Sequence, residues 1–196
     1  QMGLLHAIGE SNHPAQVFFL ADIVESRYRS RAVRLSAVSA LAKTGSKDAL
    51  EILVSMQPES ENDEELRAWI AGSVGHIRDI ASWELVEGFL SDSSAKVQSA
   101  AMGSIRLLLS RWHWDGRSQE LEMLRQKVTP VLVGLLETEE LATRNSTIGE
   151  TLSLVGGPLV VDSLKERVSD KSISTSTRGR LLSALALAER AERRRR

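Results

Sequence analysis

The stretch VRLSAVSALAKTG, residues 33–45, contains the pattern on which the fold prediction depends. Its apolar and small residues recur at intervals of three and four, which is the spacing of one face of an α-helix. Gly45 stands at its end, where a glycine commonly terminates a helix. So short a helix, with alanine and serine on its apolar side, is not stable alone. The stretch therefore predicts a helix that packs closely against other helices.

The same pattern returns four more times along the chain. Successive copies begin at residues 33, 66 and 97, and repeats of this length are typical of helical solenoids. An unrelated helical bundle has no reason to keep such a register, so we predict a repeat architecture. The matching stretches are LRAWIAGSVGHI (66–77), VQSAAMGSIRLLL (97–109), NSTIGETLSLVG (145–156) and RGRLLSALALAE (178–189).

A second amphipathic stretch accompanies each copy of the pattern except the last. Asp48 is predicted as the N-cap of one of these second helices, and Pro158 as the first-turn residue of another. The chain is thus predicted to repeat a helix A, a tight turn, a helix B and a linker about five times. The predicted B helices are QVFFLADIVES (16–26), DALEILVSM (48–56), ASWELVEGFL (81–90), residues 119–137 and PLVVDSLKERV (158–168).

This alternation resembles the HEAT-repeat family, and most closely its short, lyase-like bacterial variety. The resemblance rests on the small and apolar core of helix A, the arginine at its second position (Arg34), the turn glycines Gly45 and Gly156, and the apolar helix B. It implies an all-α fold, a right-handed α-solenoid of about five HEAT-like helical hairpins that form a single domain. The third turn, HIRDI, departs from the pattern because it lacks glycine, and residues 110–120 are an insertion. The expected units are 1–26, 27–57, 61–92, 94–137 and 139–170, followed by a final helix at 172–192.

Composition narrows the class of protein further. The 196 residues include no cysteine, which excludes disulfides, thiol nucleophiles and thiolate metal ligands and favours a cytoplasmic location. No apolar run reaches the roughly 18 residues of a membrane span. The start, QMGLLHAIGE, has no basic segment ahead of a cleavable apolar core. A first residue of Gln rather than Met is typical of a fragment of a longer protein or of a tag remnant.

No sequence motif points to catalysis, to a cofactor or to a metal. The phosphate-binding loops GxGxxG and GxxxxGK[ST] and the nucleophile elbow GxSxG are absent. The histidines lack the HExxH spacing, and none is followed by the glutamate of the His-Glu pairs that hold iron in HEAT-type hydroxylases. We therefore predict no enzyme activity, no metal and no cofactor. The histidines concerned are His6, His13, His76 and His113.

Charge is distributed unevenly, although the whole chain carries a net charge of only −1. Each of the five predicted B helices has a net negative charge when the count covers residues 16–26, 48–57, 81–92, 119–137 and 158–170. In HEAT solenoids these helices line the concave surface. An acidic surface repels a phosphate backbone and attracts a basic helix or peptide. The expected partner-binding residues on this surface are Asp48, Glu51, Glu84, Glu87 and Asp162.

Basic residues concentrate in RYRSRAVR (27–34) and in the tail RAERRRR (190–196). Arg27, Arg29 and Arg31 form the alternative site, a patch that would bind nucleic acid. Arg34 stands at the usual arginine position of helix A, where we expect it to pack or pair between repeats.

Tryptophans mark a second candidate contact. Trp112 and Trp114 fall in the insertion at 110–120, predicted as a loop, and exposed tryptophans are frequent binding hot spots. We expect at least one of them to be buried and the other to anchor a partner. Trp69 and Trp83 lie in helical patterns and are predicted core residues.

The prediction from sequence is a cytoplasmic, non-catalytic protein-interaction scaffold that binds a basic helix or peptide on an acidic concave surface. A nucleic-acid binder acting through the patch at 27–34 is the alternative, and a tetrapyrrole lyase-like enzyme is a weaker one. Neither a membrane association nor a particular oligomeric state is predicted. The first B helix is expected to be exposed along FFLADIV, where further chain or a second copy could cover it.

Overall fold

The computed structural model describes residues 5, 7–9, 14–26, 28–57, 61–77, 79–114, 118–138 and 145–195, and of residues 14, 111–114, 145, 146 and 195 it describes the backbone alone. The helices follow one another along the chain in the alternation expected from the repeats. They are α1 (Pro14–Glu25), α2 (Arg31–Lys43), α3 (Lys47–Ser55), α4 (Glu64–Ser73), α5 (Ser82–Leu90), α6 (Ala95–Trp114), α7 (Ser118–Glu137), α8 (Asn145–Val155), α9 (Pro158–Ser169) and α10 (Thr175–Arg195), with a 3-10 turn at Val74–His76 after α4.

Helices of the same type pack side by side, and the chain forms two compact units, 1–108 and 109–196. In the first unit, A helices α2 and α4 pack together, as do B helices α1 and α3. In the second unit, A helices α8 and α10 pack together, as do B helices α7 and α9. No strand occurs in the ranges that the structure describes. The predicted all-α fold of stacked helical hairpins is confirmed, whereas the unit boundaries and the single domain stay predictions.

The turn glycines and the first-turn proline lie where the sequence predicted them, whereas the predicted N-cap of α3 does not. Gly45 and Gly156 have φ of 66° and 61°, a left-handed conformation that favours glycine. Pro158 opens α9 in the first turn, as predicted. The prediction that Asp48 is the N-cap of α3 is wrong: the N-cap is Ser46, whose hydroxyl accepts from the Ala49 backbone N–H. Asp48 lies instead in the first turn, where its charge suits the helix dipole.

The core consists of the inward faces of both helix types. Leu41, Leu53 and Ile70 are among the large side chains that are completely buried in the first unit, and Leu132 and Leu164 are buried in the second. Full burial of each stabilises the fold by about 1.5–3 kcal/mol relative to an exposed position. Among the described helices, none is long and apolar enough to cross a membrane.

The predicted loop at 110–120 is wrong for most of its length. α6 continues through Trp114, and α7 begins at Ser118. Residues 110–114 contain neither glycine nor proline, so nothing in them stops the helix that precedes them. Trp112 and Trp114 therefore lie in the last turn of a helix, while their side chains fall outside what the structure describes.

Candidate functional site

A shallow pocket of about 350 Å³ opens between the first two B helices. α1 contributes Phe18, and α3 contributes Asp48, Glu51, Ile52 and Ser55. Because α1 and α3 pack against each other, the aromatic ring and the two carboxylates share one open surface. We call these five residues the B-face pocket.

The phase of each helix accounts for this arrangement. In α1, Leu20 and Val24 point into the core and are completely buried, which turns Phe18 outward with 67% of its surface exposed. In α3, Ala49 and Leu53 face the core, whereas Asp48 and Glu51 lie on the side of the helix that faces solvent. An exposed phenylalanine beside carboxylates gives the pocket both apolar and acidic character.

The two carboxylates of the pocket are accessible. Glu51 pairs with Lys47 of the preceding turn at 3.9 Å, and both side chains are largely exposed. An exposed pair at this separation contributes little to stability, so an incoming cation can displace Lys47 without a large loss. Asp48, also exposed, lies one turn before Ile52.

The remaining predicted acidic residues lie on other B helices. Glu84 and Glu87 are exposed on α5, whose opposite face buries Trp83 and Val86. Asp162 is exposed on α9, in the second unit. Of the five predicted residues, the structure therefore brings Asp48 and Glu51 together in one pocket.

Other carboxylates that the sequence count assigned to the B helices are engaged in the structure, one of them just beyond the end of α5. Asp92 receives two hydrogen bonds from the Arg67 guanidinium, at 2.8 and 3.3 Å, and this contact raises the pKa of Arg67. Glu137 receives two from Arg167, and this contact likewise raises the pKa of Arg167. The acidic character that attracts a partner is thus smaller than the sequence count implies.

One arginine of the predicted basic patch is engaged. Arg31 binds the carboxylates of Asp63, the N-cap of α4, and of Glu65 in its first turn, and the hydrogen bond to Asp63 raises the pKa of Arg31. Arg34 donates through Nε to the Val24 carbonyl at 2.6 Å, a contact of the kind expected between repeats. Arg29 is exposed, and Arg27 lies outside the described residues.

Of the two tryptophans predicted in the core, one is buried and the other is exposed. Trp83 has 2% of its surface exposed, which confirms its place in the core. The core prediction for Trp69 is wrong, because 39% of its surface is exposed. Trp69 lies four residues after Glu65 and three before Gly72, so the three residues share one face of the helix. A face with a charged residue and a glycine is typical of the solvent side.

Metal ligation has no visible basis in the described part of the chain. Its residues include no group of three or more histidine, aspartate or glutamate side chains that could hold an ion. His76 lies in the 3-10 turn after α4. His6 and His13 are outside the described residues, as is the side chain of His113.

The chain was compared with known protein families, curated proteins and solved structures. A family model for HEAT repeats matches residues 19–106. No curated protein matches the chain. Among solved structures, a similar one is that of human deoxyhypusine hydroxylase in complex with glycerol, which is 18% identical, with 96% of this chain and 79% of that chain covered and a TM-score of 0.36. An identity that low says nothing about activity.

Proposed function

We propose that this protein, whose residues 19–106 belong to the HEAT-repeat family, is a non-catalytic scaffold that binds a basic segment of another protein. The observation that carries the proposal is the B-face pocket, in which the exposed Phe18 lies beside Asp48 and Glu51. Glu84 and Glu87, which are exposed on α5, are the further carboxylates that we propose a longer partner would contact.

The chemistry of the pocket matches a lysine or arginine side chain. Its ammonium or guanidinium group pairs with Asp48 or Glu51, and a cation is also attracted to the face of an aromatic ring such as that of Phe18. The aliphatic part of the same side chain covers Ile52. A segment with alternating basic and apolar residues satisfies all of these contacts at once.

The openness of the pocket supports binding rather than catalysis. Asp48 and Glu51 are exposed to water, whereas catalytic carboxylates work in sites that exclude it. A rigid helical surface has the further advantage that little ordering is needed on binding. We propose that this takes place in the cytoplasm, in keeping with the absence of cysteine from the chain.

A titration tests this proposal. The probe is a fluorescein-labelled amphipathic peptide built of lysine and leucine, followed by fluorescence anisotropy. The variant Asp48→Lys/Glu51→Lys is expected to bind it about tenfold more weakly or worse at low salt, because attraction becomes repulsion. The matched control, Glu61→Lys/Glu150→Lys, reverses two exposed charges away from the B helices and should bind like the wild type.

Two outcomes contradict the proposal. Equal affinity of the pocket variant and the wild type shows that the peptide does not use the B-face pocket. Binding of single-stranded DNA by the wild type and by the pocket variant alike, without peptide binding, moves the function to the basic patch around Arg29.

A further inference from the structure

The exposed side of α10 combines apolar and basic residues in one line along the helix. Leu182 has 49% of its surface exposed, and the other members of the line are exposed as well. They recur at intervals of three and four, which places them on one face of the helix. We call this line the α10 stripe. It consists of Gly179, Leu182, Ala186, Arg190 and Arg193.

The apolar part of the α10 stripe corresponds to a packing face of α2. Arg34 and Arg178 are equivalent, because each donates to a carbonyl at the end of the preceding B helix. The first, fourth and eighth residues after these arginines are buried in α2 and exposed in α10. A surface that packs against other helices in one repeat is therefore open in the other. The positions are Leu35, Val38 and Ala42 in α2 and Gly179, Leu182 and Ala186 in α10.

The basic part of the α10 stripe is available to a partner. Among the residues that the structure describes, neither Arg190 nor Arg193 forms an ion pair. The two glutamates nearest to them along α10 are engaged: Glu189 binds Lys165 at 3.1 Å, and Glu192 accepts from a backbone N–H at 3.3 Å. The two arginines therefore attract carboxylates from outside this helix.

A surface of complementary chemistry lies on α1. Phe19 has 51% of its surface exposed and does not belong to the B-face pocket, which its neighbour Phe18 lines. Asp22 and Glu25 are exposed, form no ion pair within the described part of the chain, and share a helix without any basic residue. We call the exposed residues that follow one another here at intervals of four and three the α1 edge. It consists of Ala15, Phe19, Asp22 and Glu25.

We propose that the α10 stripe of one copy of this chain docks on the α1 edge of a second copy. The two lines fit when the helices run in the same direction, because each is apolar first and charged towards its C-terminal end. Leu182 then lies over Ala15, and one turn later Ala186 lies over Phe19. A large side chain meets a small one at both levels, which allows the two helices to pack closely.

The same alignment brings opposite charges together. Arg190 lies between the levels of Asp22 and Glu25. Arg193 lies one residue beyond the level of Glu25. The charges select this orientation, and burial of the apolar residues supplies affinity. A nucleic acid would satisfy the two arginines through its phosphates but leave the apolar half of the α10 stripe without a counterpart.

Sedimentation at low and moderate salt tests the proposal, because a contact between two different surfaces joins copies in pairs or in rows. The mass of the wild type should rise above that of one chain as its concentration increases. One variant, Asp22→Lys/Glu25→Lys, reverses the α1 edge, and a second, Arg190→Glu/Arg193→Glu, reverses the α10 stripe. Each alone should weaken the association about tenfold or more, because attraction becomes repulsion.

An equal mixture of the two reversal variants should associate again. Both surfaces are basic in the first variant and both are acidic in the second, so copies of one variant repel each other while the two variants attract. Restored association also shows that both variants fold. This measurement therefore separates the loss of a specific contact from the loss of structure.

Two further measurements separate this contact from other surfaces. Leu182→Ser and Phe19→Ser should each weaken association about fivefold or more, whereas Met123→Ser, at a position 44% exposed on α7, should not change it. The variant with the reversed α10 stripe retains the B-face pocket, so it should bind the lysine–leucine peptide like the wild type. The charge controls, which reverse exposed residues elsewhere, are Glu61→Lys/Glu150→Lys and Lys127→Glu/Lys171→Glu.

Four results overturn the proposal. They are a wild type that keeps the mass of one chain at every concentration, reversal variants that associate like the wild type, a mixture of folded reversal variants that stays dissociated, and self-association that nuclease treatment abolishes. The last result means that nucleic acid joins the copies through the arginines.

Discussion

The backbone N–H of Gly75 donates a hydrogen bond of 3.0 Å to the hydroxyl of Ser104. Ser104 is completely buried and in turn donates to the carbonyl of Ala71. This contact joins the 3-10 turn at the end of α4 to the next A helix, α6. Because the two backbones approach so closely, the stacking of these two repeats depends on the absence of a side chain at Gly75.

Substituting alanine for the two glycines near this contact should have opposite effects. A Cβ on Gly75 would lie 2.6 Å from the Ser104 carbonyl oxygen, whereas one on Gly72 meets Ala100 at 3.6 Å. Gly75→Ala should lower the free energy of unfolding by about 1–3 kcal/mol, because the helices must move apart. Gly72→Ala should leave it unchanged or raise it by up to about 1 kcal/mol through helix propensity. Urea unfolding of both variants measures this, and equal effects would contradict the packing described.

Arg180 ties α10 to the end of α7. It is buried, and its guanidinium donates to the Leu136 carbonyl at 2.7 Å and the Glu137 carbonyl at 3.2 Å. Arg180→Ala leaves these helix-end carbonyls without that donor, so we expect a loss of about 2–3 kcal/mol in the free energy of unfolding. Arg190→Ala, an exposed position on the same helix, should change it by less than about 0.5 kcal/mol. Chemical denaturation compares the two, and similar losses would refute the role given to Arg180.

Asp63 should make stability depend on pH in the acid range. Burial raises the pKa of Asp63, but the Leu66 N–H and the Arg31 guanidinium lower it more, to below the usual 3.8. The resulting stabilisation is complete above that value and is lost as the pH falls through the lower pKa of the folded state. Asp63→Asn keeps an N-cap for α4 without the charge.

The measurement for Asp63 is thermal unfolding of wild type and Asp63→Asn from pH 7 to pH 2. The wild type should be more stable by a constant margin from neutral pH down to about pH 5, and the margin should shrink below about pH 4. A margin that grows on acidification would contradict the assignment.

Substitutions at Phe18 and Leu20 of α1 should affect different properties, peptide binding for Phe18 and stability for Leu20. Phe18 is 67% exposed, whereas Leu20 is completely buried. Phe18→Ala should change the free energy of unfolding by less than about 0.5 kcal/mol and weaken binding of the basic peptide several-fold. Leu20→Ala should cost about 2–5 kcal/mol in stability. Calorimetry gives both melting curves, and a large destabilisation by Phe18→Ala would mean that its ring supports the fold.

The repeat register made one set of contacts predictable. Arg34 was expected to bind between repeats, and it donates to Val24 at the end of the preceding B helix. Arg178, at the first position of the last copy, likewise donates to the Asp170 carbonyl at the end of α9. The carbonyls at a helix end lack partners within the helix and attract cations. The sequence repeat brings an arginine near such an end in each unit, so the repeat alone is sufficient to predict these contacts.

Other features depend on the facing of side chains, which composition does not reveal. Trp69 was assigned to the core because it is large and apolar, yet Leu66 and Ile70 take the inward positions of α4. Similarly, the negative charge of the B helices can be counted in the sequence. The ion pair of Asp92 with Arg67 cannot be predicted there, because the two residues are 25 positions apart. Asp48 and Glu51 could be predicted from the sequence as partner-binding residues. That Phe18 lies beside them is known only from the packing of α1 on α3.

Photo-crosslinking of the labelled basic peptide to a photoreactive benzoylphenylalanine placed at residue 18 decides whether the B-face pocket is the binding surface. We expect an adduct from this position that disappears when Asp48→Lys/Glu51→Lys is added. No adduct is expected from residue 182, where the 49% exposed Leu182 offers an apolar control on α10. Equal adducts from both positions, or an adduct at 18 that persists without the two carboxylates, would contradict binding at the B-face pocket.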